Sequence, residues 1–352
     1  EVKMKIALMT IHRTNNYGAL MQVYATQTVL EAYGEVTVID YRNSHVESSL
    51  KLFRFSFNLQ GFKAIAKDIL RFFPRKRALA RVNYFIENEL NLSPSVHNET
   101  ISNDVTLSYD YYVCGSDQIW NPNCISSTGV LDGNYFCSFS DANAKIMSYA
   151  SSAGSHEFNS SEKDEVCNLL SRFSHIGVRE AKLGKLLSEL TGKSVVHVLD
   201  PTLLLSKETW LKSFSNKNRQ PSRKIPERFI LVYTVPKSKM LAEAIKSVKN
   251  KLGLKVVSID QGLYTAKDVD LQIRDASPYE FLDLFSKAEF VITDSFHGVC
   301  FSINFKKKFM AVSPGIYSNR IDSLLEALSL TDKCVRKTDD IDFFDYKFDH
   351  EA

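Results

Sequence analysis

At 352 residues the chain is long enough for two domains. Its formal net charge of +3, from 44 Lys and Arg against 41 Asp and Glu, gives no general pull toward nucleic acid. The six cysteines, Cys114, Cys124, Cys137, Cys167, Cys300 and Cys334, lack CxxC spacing, which argues against a structural zinc site and for free thiols in a reducing compartment.

Residues 3–10 read as a first strand whose apolar part is too short for a signal peptide. No apolar run reaches transmembrane length, so a soluble, cytoplasmic protein is expected. The strand leads through Arg13, Asn16 and Gly18 into a helix over 20–33, and a second strand follows at 36–41. Strand, glycine-bearing turn, helix and strand make the opening of a doubly wound domain. GxGxxG is missing, so no dinucleotide fingerprint is present. Gly18 either permits a tight turn or lets a ligand approach the backbone. Residues 51–90 then change character. Between 51 and 81 nine Lys and Arg face the single Asp68, with six phenylalanines interleaved. This basic, aromatic insert reads as two helices broken at Pro74. It serves either as a lid with a solvated charged face or as a surface for an anionic membrane or polymer.

A strand at 109–114 ends in Gly115, Ser116 and Asp117, with Gln118, Trp120 and Asn121 just beyond. Carboxylate, amides and an aromatic face suit a sugar; a cap and turn is the competing reading. Further strands are expected at 145–150, 176–180 and 195–199, and helices near 163–173 and 181–190. Arg179 heads the second of these helices, where it could hold a phosphate or carboxylate, or pair with a nearby acid. Asp200 and Pro201 stop the last strand. The polar stretch 212–228, with Pro221 and Pro226, reads as a linker between an N-terminal Rossmann-like domain (1–211) and a C-terminal one (229–335). The acidic tail (336–352) is expected to be peripheral.

The second domain alternates strand and helix, with strands at 229–234, 256–259, 290–293 and 309–312. Its most informative corner is Thr293-Asp294-Ser295-Phe296-His297-Gly298, where an apolar strand runs directly into an apolar helix. Asp294 is expected to cap that helix. Anionic ligands favour such a helix start at a strand's carboxyl end, and His297 can carry a proton at neutral pH. Arg320 opens the last helix (320–328), where a cation is poorly matched to the dipole and suits a ligand or an acidic partner. Two Rossmann-like halves of an α/β protein make an inter-domain cleft the default active site. There is no P-loop, HExxH or internal repeat.

Taken in order, Asn16-Tyr17-Gly18-Ala19-Leu20-Met21-Gln22, residues 112–121, Ser148-Tyr149-Ala150, Val178-Arg179-Glu180, Asp200-Pro201-Thr202 and residues 293–298 resemble the polysaccharide pyruvyl transferase family. The resemblance implies a GT-B-like pair of domains. It also implies transfer of the enolpyruvyl unit of phosphoenolpyruvate onto a sugar of a cell-surface polysaccharide or its lipid-linked precursor, which gives a pyruvate ketal. It places the donor at Arg179 and His297. Some relatives carry an arginine two residues before the histidine, where this chain has Ser295; Arg320, with Arg13 behind it, is the candidate replacement. The expected site has His297 as phosphate ligand and acid and Asp117 as sugar ligand or base. Arg179 and Arg320 clamp the anion, and Ser295, Phe296, Gly298, Gly18, Asn16, Gln118 and Trp120 contribute to binding. The expected partners are phosphoenolpyruvate, a glycan or lipid-linked oligosaccharide and the inner membrane face, with no metal or redox cofactor and no nucleic acid. A GT-B glycosyltransferase using a nucleotide sugar and a non-catalytic glycan-binding protein are the alternatives.

Overall fold

A computed structural model describes residues 3–53, 71–98, 101, 109–141, 143–214, 223–234, 238–263 and 265–346. Apolar runs of three to seven residues make six strands in the first half: β1 (Lys5–Met9), β2 (Glu35–Val38), β3 (Tyr111–Cys114), β4 (Lys145–Ser151), β5 (Phe173–Val178) and β6 (Val195–His197). They pair in the order β2-β1-β3-β4-β5-β6, and every pair is parallel. A parallel sheet is covered on both faces, which is why Ile6, Ala7, Leu8 and Met9 of β1 are consecutively buried.

The second half repeats the scheme with β7 (Phe229–Tyr233), β8 (Lys255–Ile259), β9 (Leu271–Ile273), β10 (Phe290–Thr293), β11 (Lys308–Val312) and β12 (Cys334–Val335). Their order is β12-β11-β10-β7-β8-β9, again parallel throughout. Counted from β7, this is the 3-2-1-4-5-6 order of a dinucleotide-binding fold, and the order reverses between β7 and β10. In the first sheet the reversal lies between β1 and β3. Ligands bind outside the carboxyl ends of strands at such points, which singles out one edge of each sheet.

Among the described residues, helices of eight residues or more are α1 (Tyr17–Leu30), α2 (Phe72–Glu89), α3 (Ser160–Leu170), α4 (Ala181–Thr191), α5 (Lys207–Phe214), α6 (Lys239–Leu252), α7 (Pro278–Lys287), α8 (Phe296–Asn304) and α9 (Asn319–Ala327). Their starts follow local chemistry. Asn159 caps α3 in a reciprocal pair with Glu162, Ser238 caps α6, and Ser277 with Pro278 opens α7. The helix α1 begins three residues earlier than its apolar spacing indicates, because the Asn16 carboxamide accepts from the Gly18 and Ala19 amides. Gly18 therefore lies in the first helical turn and not in a preceding loop.

The chain divides into two compact units, one of Glu1–Leu50 with Asn83–Leu204 and one of Lys51–Val82 with Leu205–Ala352. Three features differ from the composition-based reading. The described part of the basic insert up to Val82 groups with the second unit, where Arg77 Nε donates to Asp275 Oδ2 at 2.6 Å and Arg81 donates to the Asp275 carbonyl, while the rest of it, from Asn83, groups with the first. A described helix starts at Phe72, so Pro74 stands at a helix start, and the segment before it that would form the other expected helix lies outside the described residues. Proline occupies the first turn of α2, where its missing N–H has no helical partner in any case. The remainder of the expected insert, residues 54–70, lies outside the described residues, as do residues 215–222 of the linker. The start of that linker is helical: Trp210 of α5 is fully buried, with its ring centroid 5.4 Å from Phe301. Nor is the acidic tail wholly peripheral, since Ile341 and Phe344 bury against the cluster that includes Val335, Ile245 and Phe290.

Candidate functional site

At the carboxyl edge of the first sheet, side chains from β1, β3 and β5 meet loops rich in small polar residues. Thr10 Oγ1 donates to the Ser116 carbonyl at 2.8 Å, and Gln22 of α1 donates to Thr10 Oγ1 and to the Ile11 carbonyl, both at 3.1 Å. These bonds tie β1 to β3 where the strand order reverses. Gly115 has φ of +116°, and a Cβ there would come within 2.1 Å of the Tyr149 carbonyl, so the corner tolerates only glycine.

Arg179, immediately after β5, is the centre of this edge. Nη1 donates to Asp200 Oδ2 at 2.8 Å, Nη2 donates to Asp117 Oδ1 at 3.2 Å, and Nε lies 3.9 Å from Glu180 Oε1. Its side chain is 2% exposed. Burial opposes charge on the guanidinium, but Asp117, Asp200 and Glu180 outweigh it and hold its pKa above the ordinary value. The acids are held in turn. Ser116 Oγ and the Thr202 amide and hydroxyl donate to Asp200, Ser152 Oγ donates to Glu180, and the Gln118 amide donates to Asp117. Carboxylate oxygens gathered in this way accept hydrogen bonds and suit the protons of hydroxyl groups.

Other expected residues of this unit fall into different places. Trp120 is fully buried, stacks on Phe136 at 5.0 Å and donates Nε1–H to the Tyr135 carbonyl. A ring so enclosed offers no face to a sugar, so the expected platform is a core side chain. Gln118 is half-buried and its Oε1 accepts from Asn121 Nδ2 at 3.0 Å. Arg13 forks onto Asp40, with Nε to Oδ1 at 2.6 Å and Nη2 to Oδ2 at 2.8 Å, while His12 Nε2 lies 3.1 Å from Oδ1 and Ser95 Oγ donates to Oδ2 at 2.6 Å. Burial alone would raise the Asp40 carboxyl, but these partners hold it far below the usual carboxylate range. A depressed folded pKa adds stability above the unfolded value, and that stability fades as pH falls toward the folded one. Asp40→Asn is therefore expected to cost roughly 3 kcal/mol at neutral pH. In urea titrations at several pH values, the gap to the parent chain should narrow steadily below pH about 4.

The equivalent edge of the second unit is built differently. Thr293 Oγ1 donates to the Tyr233 carbonyl at 2.6 Å and accepts from the Ser295 amide at 3.1 Å, which joins β10 to β7 at the reversal point. The residue at the cap position of α8 is Ser295, with no side-chain cap bond. Asp294 does not cap the helix; its Oδ2 accepts from Thr234 Oγ1 at 2.9 Å. Ser295, Phe296, His297 and Gly298 are all buried, with His297 5% exposed. The His297 ring meets Phe296 edge-on at 5.2 Å, and the Arg320 guanidinium carbon stands 5.6 Å from the Phe296 ring centroid. Phe296 thus touches both side chains. A helix N-terminus that carries an imidazole in its first turn can receive an anion.

Gly298 explains the His-Gly pair. A Cβ there would lie 2.1 Å from Thr293 Oγ1 and 2.9 Å from its Cβ, and Thr293 is fixed by both of its hydrogen bonds. Only glycine lets α8 start so close to β10. Gly298→Ala is expected to lower stability by about 1–3 kcal/mol. A thermal-denaturation midpoint equal to the parent's would refute that.

The family model for polysaccharide pyruvyl transferase matches residues 16–315. The chain belongs to the polysaccharide pyruvyl transferase family. The matched segment contains Asn16, Asp117, Arg179 and His297 but ends before Arg320. None of the curated proteins compared with the chain matches it. Among solved structures it is similar to UDP-GlcNAc 2-epimerase from Methanocaldococcus jannaschii, with a TM-score of 0.51 at 10% identity, covering 97% of this chain and 91% of that one. It is also similar to UDP-GlcNAc 2-epimerase from Neisseria meningitidis bound to UDP-GlcNAc, with a TM-score of 0.50 at 11% identity, covering 96% of this chain and 89% of that one. At such identity the likeness shows the fold alone, a GT-B-like α/β architecture with two parallel six-stranded sheets.

Within this pyruvyl transferase family member, the roles of Asp200 and Glu180 were the ones hardest to read from sequence. Asp200 looks like a strand stop before Pro201, and its contact with Arg179 spans 21 residues. The Asp-Pro-Thr run is the one local signal, because the Thr202 amide and hydroxyl that hold Asp200 Oδ1 follow it directly. A larger, mostly apolar cavity of about 780 Å³, lined by Val113, Met147, Ile176, Val196 and Leu204, carries none of these groups. Among the described residues no group of His, Cys, Asp and Glu is arranged to hold a metal ion, and no helix is long and apolar enough to cross a membrane.

Proposed function

We propose that this chain transfers the enolpyruvyl unit of phosphoenolpyruvate to two hydroxyls of a sugar in a cell-surface polysaccharide or its lipid-linked precursor. The observation that carries the reading is the family match over residues 16–315. The chemistry of the two strand edges, each taken within its own unit, agrees with it. A reaction between a trianionic donor and a neutral sugar needs one place for anions and one for hydroxyl protons.

The donor's phosphate and carboxylate go to the α8 corner, with the helix N-terminus, Arg320 and His297 as ligands. Protonated His297 supplies a proton to the methylene carbon, which leaves an oxocarbenium-like centre at the carbon bearing phosphate and carboxylate. A sugar hydroxyl adds there and gives up its proton. Phosphate then departs with a proton, and the second hydroxyl closes the ketal and releases its own. Asp117, in the carboxylate-rich cluster, takes hydroxyl protons. Arg179 acts by holding the acids in place rather than by clamping the donor. Gly18 and Asn16 serve the start of α1, and Gln118 the loop that carries Asp117. The same reading puts the enzyme in the cytoplasm, in peripheral contact with the inner membrane face where lipid-linked acceptors reside.

Phosphate release and acceptor mass test this together. Incubation with phosphoenolpyruvate and lipid-linked or free oligosaccharides should give inorganic phosphate and a product heavier by one pyruvate ketal. Nucleotide release from a nucleotide sugar, with phosphoenolpyruvate untouched, would replace this reading with glycosyl transfer.

A further inference from the structure

The first unit holds a second concavity that the donor and acid clusters do not use. It is a polar cavity of about 580 Å³, inside the roughly 300–1,000 Å³ range of ligand pockets. Arg42, Asn43 and His45 line it after β2, Asn98 before β3, and Ser127 and Asp132 after β3.

Hydrogen bonds hold its polar groups in place. Tyr41 Oη donates to Asp132 Oδ2 at 2.8 Å, and Asn134 Nδ2 donates to Tyr41 Oη at 3.2 Å and to Asn98 Oδ1 at 2.6 Å. Asn43 Nδ2 donates to the Ile125 carbonyl at 2.9 Å, while its Oδ1 accepts from the His45 and Val46 amides. Among the described lining residues the one guanidinium is already matched, since Arg42 forks onto Glu47 with both bonds at 2.7 Å.

These features select a ligand class. An anion would find the arginine already matched to Glu47 and would face Asp132, with only the imidazoles of His45 and His97 to offset that carboxylate. An apolar ligand would strip water from amides, hydroxyls and imidazole without replacing its hydrogen bonds. A neutral polyhydroxyl compound donates and accepts at every carbon and matches such a lining. The cavity wall is also continuous in sequence with the acid cluster, because Asp117 to Asn121 run directly into the short helix Pro122–Ile125, whose last carbonyl anchors Asn43.

We propose that this cavity is a saccharide subsite, which takes a neutral sugar ring of the acceptor other than the ring that receives pyruvate. Its place in the reaction rests on the pyruvyl-transfer reading; its ligand class does not. Ser127 is exposed on the rim, so Ser127→Trp fills the cavity with little cost to the fold, and His45→Ala removes one polar group from the half-buried wall.

Saturation-transfer NMR on the full chain with maltotriose, cellotriose and chitotriose should show binding of at least one. Ser127→Trp should weaken it by about tenfold or more, and His45→Ala by a few-fold. The thermal shift caused by phosphoenolpyruvate should be the same in all three proteins. No saccharide contact in the parent chain at millimolar concentration would overturn the subsite. So would undiminished binding in Ser127→Trp, or an unchanged acceptor KM in that variant if transfer is observed. Saccharide binding that depends on Ser127 in a protein that releases no phosphate would keep the subsite and remove pyruvyl transfer.

Discussion

Arg179→Leu is expected to destabilise the first unit by roughly 3–5 kcal/mol at neutral pH, seen as a fall in the urea midpoint. Leucine fills most of the space but leaves Asp117, Asp200 and Glu180 around an apolar group. All three are buried, with Asp200 at 1% exposure. Buried carboxylates that lose an arginine have their pKa pushed up, because desolvation favours the neutral acid. A raised folded pKa gives a stability contribution that is complete below the unfolded value and is lost as pH rises through the folded one. The variant should therefore lie nearest the parent near pH 4 and fall steadily behind toward pH 8. Arg179→Lys keeps the charge but not the fork, so its loss should be intermediate. The measurement also separates two roles for this arginine. A residue whose main task is to clamp phosphoenolpyruvate would lose donor affinity on substitution and leave the urea midpoint almost unchanged.

That distinction marks how far local pattern carries in this chain. The strand-to-helix corner after β10 was legible because the strand is an unbroken apolar run followed at once by Asp294 and Ser295, and a parallel sheet buried on both faces produces that signature. The beginning of α1 was less so, since only the Asn16 carboxamide marks it and the following Tyr17 and Gly18 are poor helix formers. β9 and β12, of three and two residues, are too short for any periodicity; β8 and β11 impose them through pairing. Pro74 reads as a break in isolation because its consequence depends on which turn of the helix it occupies. Trp120 beside an amide and a carboxylate resembles a sugar platform, and only the packing of Phe136 and Phe173 against it reveals a core residue. The family resemblance was readable from ordered short motifs spread over most of the chain. The charge of each motif's surroundings was not, because Arg179 finds Asp117 and Asp200 at separations of 62 and 21 residues.

His297→Ala is expected to lower kcat/KM for phosphoenolpyruvate by about 10²–10⁴, the usual worth of one general acid, while the chain stays folded. The corner explains why the fold should survive. The Thr293 hydroxyl fixes the backbone by donating to the Tyr233 carbonyl and accepting from the Ser295 amide, Gly298 sets the approach of α8 to β10, and the adjoining Phe296 is buried independently at 4% exposure. His297→Gln keeps much of the volume and a hydrogen-bonding end but cannot deliver a proton near neutral pH, so it should be nearly as inactive as the alanine variant. Arg320→Ala should behave differently. An anion ligand that binds donor and transition state alike changes KM far more than kcat. Phosphate-release kinetics for the three variants, alongside their melting temperatures, divide the possibilities. If His297 serves only to pack against Phe296, His297→Gln will turn over like the parent and His297→Ala will lose stability before activity. If it carries the proton, both will fold, both will be inactive, and Arg320→Ala will recover most of its rate at high phosphoenolpyruvate, because the acid is still there.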